Sequence, residues 1–301
     1  MGSRGSALAL RQTGSVLGEL SRRFPDRRFR MEVVRTTGDR QPDASLAAIG
    51  GQGAFVKELE AALHARRVDL AMHSLKDVPT ELGEGLVLAA VSERGDVRDA
   101  VVSRENSRLT ELPPGSRVGT GSLRRSVQVR ALRPDVEVVD LRGNVDTRLR
   151  RVEEGLVDAA ILAAAGLARL GYLERAAEIL DTEAMLPAIG QGAVTLETRA
   201  DDEEVIEIAA TVDHRETRMA TTAERAFLAR LGGGCRLPIA ALGVVEGGSL
   251  RLRGLIADPE GRRILRGEVT GPASDAEALG VGLGEQLLDQ GAAELIAEAA
   301  P

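Results

Sequence analysis

The stretch Val68-Asp69-Leu70-Ala71-Met72-His73-Ser74-Leu75-Lys76-Asp77-Val78-Pro79 runs from an apolar, strand-like segment into a polar loop closed by proline. A strand over Val68–Met72 delivers His73–Pro79 to its carboxyl end, the edge at which open α/β sheets bind ligands. Lys76 and Asp77 are adjacent, so in an extended loop their side chains diverge and can serve an anion and a cationic centre separately. A plain turn with two solvated charges accounts for the same residues equally well.

Helical and strand patterns alternate on either side of this stretch. Upstream, a helix over Ala7–Arg23 leads to a strand over Phe29–Arg35, a glycine-rich loop and a helix over Ala54–Ala65. A second round starts at Asp99–Val102 and continues through Arg117–Gly119, a helix over Leu123–Leu132, a strand over Val136–Leu141, a helix over Val145–Glu153 and a strand over Asp158–Leu162. Such alternation predicts mostly parallel sheets covered by helices on both faces. Arg94–Arg98 is the expected crossing between the two rounds. The remainder changes character: a long helix over His214–Leu231, strands over Ile239–Val245, Leu250–Ala257 and Ile264–Val269, and a helix over Ala276–Gln290 predict a small α+β domain with an antiparallel sheet.

Composition narrows the classes. The 301 residues, 43% of them hydrophobic, suffice for two or three domains. The opening Met1-Gly2-Ser3-Arg4 has no apolar run of the signal-peptide kind, and no stretch has the apolar length of a membrane span, so a reducing cytoplasm is the expected compartment. With 46 acidic against 39 basic residues, a net charge of −7, no Trp, one Tyr and four Phe, the chain lacks the basic face and stacking aromatics of a nucleic-acid binder. Lys57 and Lys76 are its only lysines, a skew that makes any single Arg weak evidence of function. Arg beside Gly, Ser and Thr is better evidence.

Two such clusters each follow a strand and open a helix. In Thr120-Gly121-Ser122-Leu123-Arg124-Arg125, helix-start amides and hydroxyls can bind anions, and two guanidiniums add bidentate partners for carboxylates. Leu141-Arg142-Gly143-Asn144-Val145-Asp146-Thr147-Arg148 repeats the arrangement, and Arg4-Gly5-Ser6 before the first helix makes a third. A surface helix with exposed arginines explains each singly; together they suggest a ligand with several carboxylates. No phosphate loop or complete dinucleotide fingerprint is present. His64, His73 and His214 are not spaced as a metal set with Cys235, so no metal is expected.

Cys235, the single cysteine, stands in Leu231-Gly232-Gly233-Gly234-Cys235-Arg236-Leu237-Pro238. It cannot form an internal disulfide. Most lone cysteines are small buried hydrophobes, but three glycines offer close backbone approach rather than packing, which points to an accessible thiol and to covalent attachment.

His73–Pro79, Thr120–Arg125, Arg142–Arg148, Pro187-Ala188-Ile189-Gly190-Gln191-Gly192 and Gly233-Gly234-Cys235, in this order, resemble hydroxymethylbilane synthase, also called porphobilinogen deaminase. The resemblance runs from Arg4 to the end. It implies two periplasmic-binding-protein-like α/β domains, residues 1–92 with 193–210 and residues 97–186, and a smaller C-terminal α+β domain with an antiparallel sheet, residues 214–301. It further implies a monomeric transferase of tetrapyrrole and heme biosynthesis. Four porphobilinogen molecules are joined head to tail on a dipyrromethane cofactor, ammonia is lost at each step through an electrophilic azafulvene, and water releases linear 1-hydroxymethylbilane.

By the same resemblance Cys235 carries the cofactor through a thioether, and Asp77 is the catalytic carboxylate beside the pyrrole nitrogens. Asp39, Ser74, Lys76, Asp77, Thr120, Ser122, Arg124 and Arg125 are implied around the cofactor, and Arg4, Ser6, Arg142, Gly143, Arg148, Arg169 and Gln191 around the substrate. Ala48–Gly53 matches a mobile loop over the cleft, with Gln52 where relatives are often basic, and Gly121 stands where they often have Ser or Ala. Relatives also have a short apolar strand before Arg4, so a shortened first strand is expected here. Two other classes compete. A non-catalytic binding module for a small polycarboxylate explains the arginines but leaves Gly233-Gly234-Cys235 and Asp77 without a role, and a thiol enzyme needs a base partner that no histidine supplies from sequence.

Overall fold

The computed structural model describes residues 1–37, 55–232 and 237–298. Along the chain come β1 (Gly2–Ser3), α1 (Ala7–Arg23), β2 (Glu32–Val33), α2 (Lys57–His64), β3 (Ala71–Ser74), β4 (Leu86–Val91), β5 (Asp99–Ser103), β6 (Arg117–Gly119), α3 (Leu123–Leu132), β7 (Glu137–Val139) and α4 (Val145–Glu153). They continue with β8 (Ala159–Ala163), α5 (Ala164–Leu170), β9 (Glu178–Ile179), β10 (Val194–Arg199), α6 (Glu203–Ala210), α7 (Arg215–Arg230), β11 (Ile239–Glu246), β12 (Ser249–Ala257), β13 (Ile264–Pro272), α8 (Ala276–Leu287) and α9 (Ala293–Glu298). Two compact units result, Met1–Gly95 with Gly192–Met219, and Asp96–Gln191 with Ala220–Pro301.

The first unit holds a five-stranded sheet in the order β2-β1-β3-β10-β4. β1 runs parallel to β2 and β3, whereas β10 runs antiparallel to β3 and β4. The sheet is therefore mixed, a correction to the mostly parallel expectation; the antiparallel strand β10 alternates Val194 and Leu196 with Thr195 and Glu197, a pattern that carries no direction. Ala9, Val16 and Leu20 of α1 close one face with Leu70, Met72, Leu196 and Ile208, while Leu59, Leu63, Val68 and Ala71 fill the other. Each such fully buried aliphatic side chain contributes about 2 kcal/mol.

Strand limits depart from the sequence expectation where pairing decides them. β1 is two residues long, so only Glu32 and Val33 of the expected Phe29–Arg35 find partners. β3 starts at Ala71 and reaches Ser74, held by Ser74 opposite Val194 and His73 opposite Thr195, so His73 and Ser74 belong to the strand and not to the loop. The turn that follows is a short 3₁₀ segment, Leu75–Asp77.

The second unit has a mixed sheet of order β7-β6-β8-β5-β9, in which β6 is parallel to β7 and β8 and β5 is antiparallel to β8 and β9. Its three-stranded sheet β11-β12-β13 is fully antiparallel, as expected of the C-terminal part. One face of β12 sends Leu255 and Ala257 to Val127 of α3 and Leu186. At Gly254 on the other face an added Cβ would stand 2.7 Å from the Phe227 ring and 2.9 Å from Leu283, so α7 and α8 lie directly against the strand.

α7 and α8 approach as closely as their backbones allow. A Cβ on Gly280 would collide with the Ala223 carbonyl oxygen and lie 2.7 Å from Ala226 Cβ, while one on Gly282 meets nothing within 4 Å. Gly280→Ala should therefore destabilise the protein by about 1–3 kcal/mol, and Gly282→Ala, two residues along the same helix, should stabilise it by up to about 1 kcal/mol. Thermal melts of the two variants check the opposite signs.

Candidate active site

In the first unit, β1 and β3 are parallel neighbours, so the segments leaving their carboxyl ends meet at one edge of the sheet. Arg4 and Ser6 follow β1, and Ser74 and Asp77 follow from β3; all four line one pocket with Gln12 and His73. Ser6 caps α1, its hydroxyl oxygen accepting from the Ala9 N–H at 3.3 Å. The Arg4 guanidinium lies 3.9 Å over the centre of the Phe55 ring, a cation–π contact that fixes its plane. The 3₁₀ turn bearing Lys76 and Asp77 is pinned by Leu75 N–H to Ala193 O at 3.0 Å and Val78 N–H to Leu75 O at 3.1 Å. Among the described residues the Asp77 carboxylate makes no hydrogen bond or ion pair. Ser74 Oγ donates to Gln12 Oε1 at 3.3 Å, and buried Gln12 Nε2 has no partner among those residues. The pocket thus presents one fixed cation, one uncommitted carboxylate and a spare amide donor.

In the second unit, Arg124 and Arg125 on the first turn of α3 are turned inward, their side chains 4% and 6% exposed, onto the fully buried Asp99 that opens β5. Arg124 Nη1 donates to Asp99 Oδ2 at 2.7 Å and to Leu186 O at 2.8 Å. Arg125 Nη2 and Nε donate to Asp99 Oδ1 at 2.7 and 3.1 Å, and its Nη1 to Ile161 O at 3.0 Å. Gln191 Nε2 joins them, donating to Asp99 Oδ1 at 3.0 Å and Val97 O at 2.7 Å. Burial pushes the Asp99 carboxyl up, but the two guanidiniums outweigh it and hold the group well below the usual carboxylate range. Burial pushes the Arg124 guanidinium down against the attraction of Asp99; arginine's high intrinsic value keeps it cationic. Two cations share one anion here, and Arg124 Nε is buried without a hydrogen-bond partner among the described residues.

The loops after the parallel strands β6 and β7 adjoin, since a Cβ on Gly121 would stand 3.1 Å from Leu141 O. Thr120 Oγ1 accepts from the Ser122 N–H at 3.2 Å, and Ser122 Oγ from the Arg125 N–H at 3.5 Å. Arg142 Nε donates to Asp140 Oδ2 at 2.6 Å, and Arg148 Nε to Gly143 O at 2.8 Å. Gly143 has φ of 101°, which favours glycine. Burial lowers the Arg169 guanidinium from its ordinary value. Asp39, Gln52 and Cys235 lie outside the described residues. Sequence reasoning passed over Asp99, Gln12 and Glu197; the one signal for Asp99 was a carboxylate placed directly before the buried run Ala100-Val101-Val102.

The family model described as "Porphobilinogen deaminase, dipyromethane cofactor binding domain" matches residues 1–207, and that described as "Porphobilinogen deaminase, C-terminal domain" matches residues 219–289. A porphobilinogen deaminase of Pelobacter propionicus is 50% identical over 298 residues, 99% of this chain and 96% of its own. One of Syntrophus aciditrophicus is 49% identical over 291 residues, 97% and 95% of the two chains. The chain belongs to the porphobilinogen deaminase family. Among solved structures, a TRAP periplasmic solute binding protein from Ralstonia eutropha aligns with 96% of this chain and 92% of its own at 12% identity and a TM-score of 0.40.

The cofactor domain of the porphobilinogen deaminase family names its group, a dipyrromethane. Residues of the second unit fit a group rich in carboxylates: the Asp99 network carries surplus positive charge, and Arg124 Nε is a buried donor without a partner among the described residues.

Replacing Asp99 by Asn leaves two buried guanidiniums without their counter-ion, and about 3–5 kcal/mol of stability should be lost. Because the folded-state pKa of Asp99 lies below its unfolded value, its contribution is complete above the ordinary carboxylate range and is lost as pH falls through and below that range. Melts of the parent and Asp99→Asn should therefore differ most near neutrality and converge in acid.

Proposed function

We propose that this chain is a hydroxymethylbilane synthase, a transferase that condenses four porphobilinogen molecules head to tail with loss of ammonia and releases linear 1-hydroxymethylbilane for tetrapyrrole and heme biosynthesis. The observation that carries this reading is the uncommitted Asp77 carboxylate in a pocket with Arg4 and Ser6, in a chain that matches the family over nearly its whole length. A binding module without catalysis is not favoured, because it leaves that carboxylate idle.

The residue roles follow from the resemblance and the chemistry. Cys235 holds the dipyrromethane through a thioether, and when bound this group supplies the free pyrrole α-carbon at which the product is extended. Loss of ammonia from porphobilinogen leaves positive charge spread onto its pyrrole nitrogen. Asp77, held at the end of a pinned turn, takes the N–H and stabilises that charge without reorganising. Lys76, Ser74, Thr120, Ser122, Arg124 and Arg125, with Asp39, hold the cofactor; Arg4, Ser6, Arg142, Gly143, Arg148, Arg169 and Gln191 receive the acetate and propionate of the substrate. Arg124 and Arg125 act from a frame already built on Asp99, so little order remains to be created when a carboxylate arrives.

Three domains, 1–92 with 193–210, 97–186 and 214–301, belong to the same proposal, as do a monomeric state, a cytoplasmic location and no nucleic-acid partner. No described helix is long and apolar enough to cross a membrane, and the net charge of −7 supports the last of these.

Asp77→Asn tests the assignment, since its carboxylate has no described partner to lose. Ammonia release and porphyrin formed after cyclisation of the product should fall by about 100-fold or more, with stability changed by no more than about 0.5 kcal/mol. Turnover near that of the parent overturns the role of Asp77.

A further inference from the structure

Beneath the pocket lies a buried acid–base pair to which the roles above assign no work. His73 is on β3 and Glu197 on β10, two adjacent inner strands of the first unit's sheet, and their side chains are 2% and 0% exposed. Glu197 stands opposite Ala71 and His73 opposite Thr195, which puts the two side chains diagonally on one face, with His73 Nε2 2.9 Å from Glu197 Oε2. A carboxylate buried this far costs several kcal/mol unless fully satisfied. Glu197 is not: its Oε1 has no hydrogen-bond partner among the described residues. Packing alone would be served as well by two apolar side chains, as at Met72 and Leu196 beside them.

With Glu197 accepting, His73 donates from Nε2, and in that neutral tautomer the basic lone pair is on Nδ1. The His73 side chain makes no other hydrogen bond among the described residues, and it lines the same pocket as Asp77 and Arg4. An imidazole oriented by a carboxylate on one nitrogen and open on the other is the arrangement of a general base.

The proposed reaction has a proton to remove. At each condensation the aminomethyl C–N bond of porphobilinogen breaks and its electron pair leaves with nitrogen as ammonia. A C–C bond forms from the acceptor pyrrole's α-carbon, the C–H bond there breaks, its electrons return to the ring, and one proton must go. Resting on that functional reading, we propose that His73 Nδ1 receives this proton, with Glu197 as the positioning residue whose charge balances the imidazolium, and that the proton then departs with ammonia as ammonium. Asp77 keeps the task of stabilising charge at the pyrrole nitrogens.

The chain has 3 histidines, so the imidazole nitrogens can be assigned by ¹⁵N NMR without substrate. The parent should show His73 as the Nε2–H tautomer, and Glu197→Gln should shift that Nε2–H resonance while leaving His64 and His214 in place. With porphobilinogen deuterated at its free α-carbon, His73→Gln should lose about 100-fold in kcat with little change in KM, and a normal isotope effect on kcat should appear or grow. Glu197→Gln, which preserves shape and keeps the sheet intact, should move the isotope effect in the same direction with a smaller rate loss. An Nδ1–H tautomer in the parent, or variants that turn over within a few-fold of it with an unchanged isotope effect, overturns the proposal. A parent that consumes no porphobilinogen removes the functional reading itself, and this inference with it.

Discussion

Asp99 carries a negative charge into a place with no solvent-facing surface, and the second unit is arranged around answering it. Arg124 and Arg125 come from the first turn of α3, Gln191 from the segment before β10, and the Leu186 and Ile161 carbonyls each accept from one guanidinium nitrogen. The network therefore ties β5, β8, α3 and the Leu186–Gln191 segment to one point. Two guanidiniums over one carboxylate leave net positive charge in a low-dielectric site, which is what the proposed role of Arg124 and Arg125 in holding a carboxylate requires.

The first unit solves a different problem, exposing a carboxylate whose neighbours do not neutralise it. The Asp77 turn is fastened through backbone N–H groups at Leu75 and Val78, which leaves its side chain uncommitted among the described residues. Arg4, which could have quenched it, is instead stacked on Phe55. The positions of cation and carboxylate thus come from two parallel strand ends, with the aromatic ring and the 3₁₀ turn as local constraints.

Much of this was legible in the residues. The helices Ala7–Arg23, Leu123–Leu132 and Val145–Glu153 have the limits that their patterns predict, with Ser6, Ser122 and Asn144 capping them through their own side chains. The antiparallel C-terminal sheet was readable from three strand runs separated by turn residues. Strand direction was not: β10, which runs antiparallel to both its neighbours, alternates Val194 and Leu196 with Thr195 and Glu197 and is not among the expected strands. Nor was the start of β3, since Val68 and Leu70 are as apolar as a strand but find no ladder partner. In the candidate site, glycine, serine and arginine clusters marked the loops after β6 and β7 and the segment after β1. Asp99 and Glu197 carried no such mark, since a buried carboxylate acquires its meaning from side chains far off in sequence: Arg124 and Arg125 for one, His73 for the other.

The central claim is that this chain builds its product on a primer attached to Cys235. Intact mass of the purified protein, before and after incubation with porphobilinogen and beside Cys235→Ser, tests it most directly. The account predicts a discrete adduct of two linked pyrroles on the parent, absent from the variant and extended stepwise by substrate. A parent chain of unmodified mass that stays unmodified after incubation would contradict it.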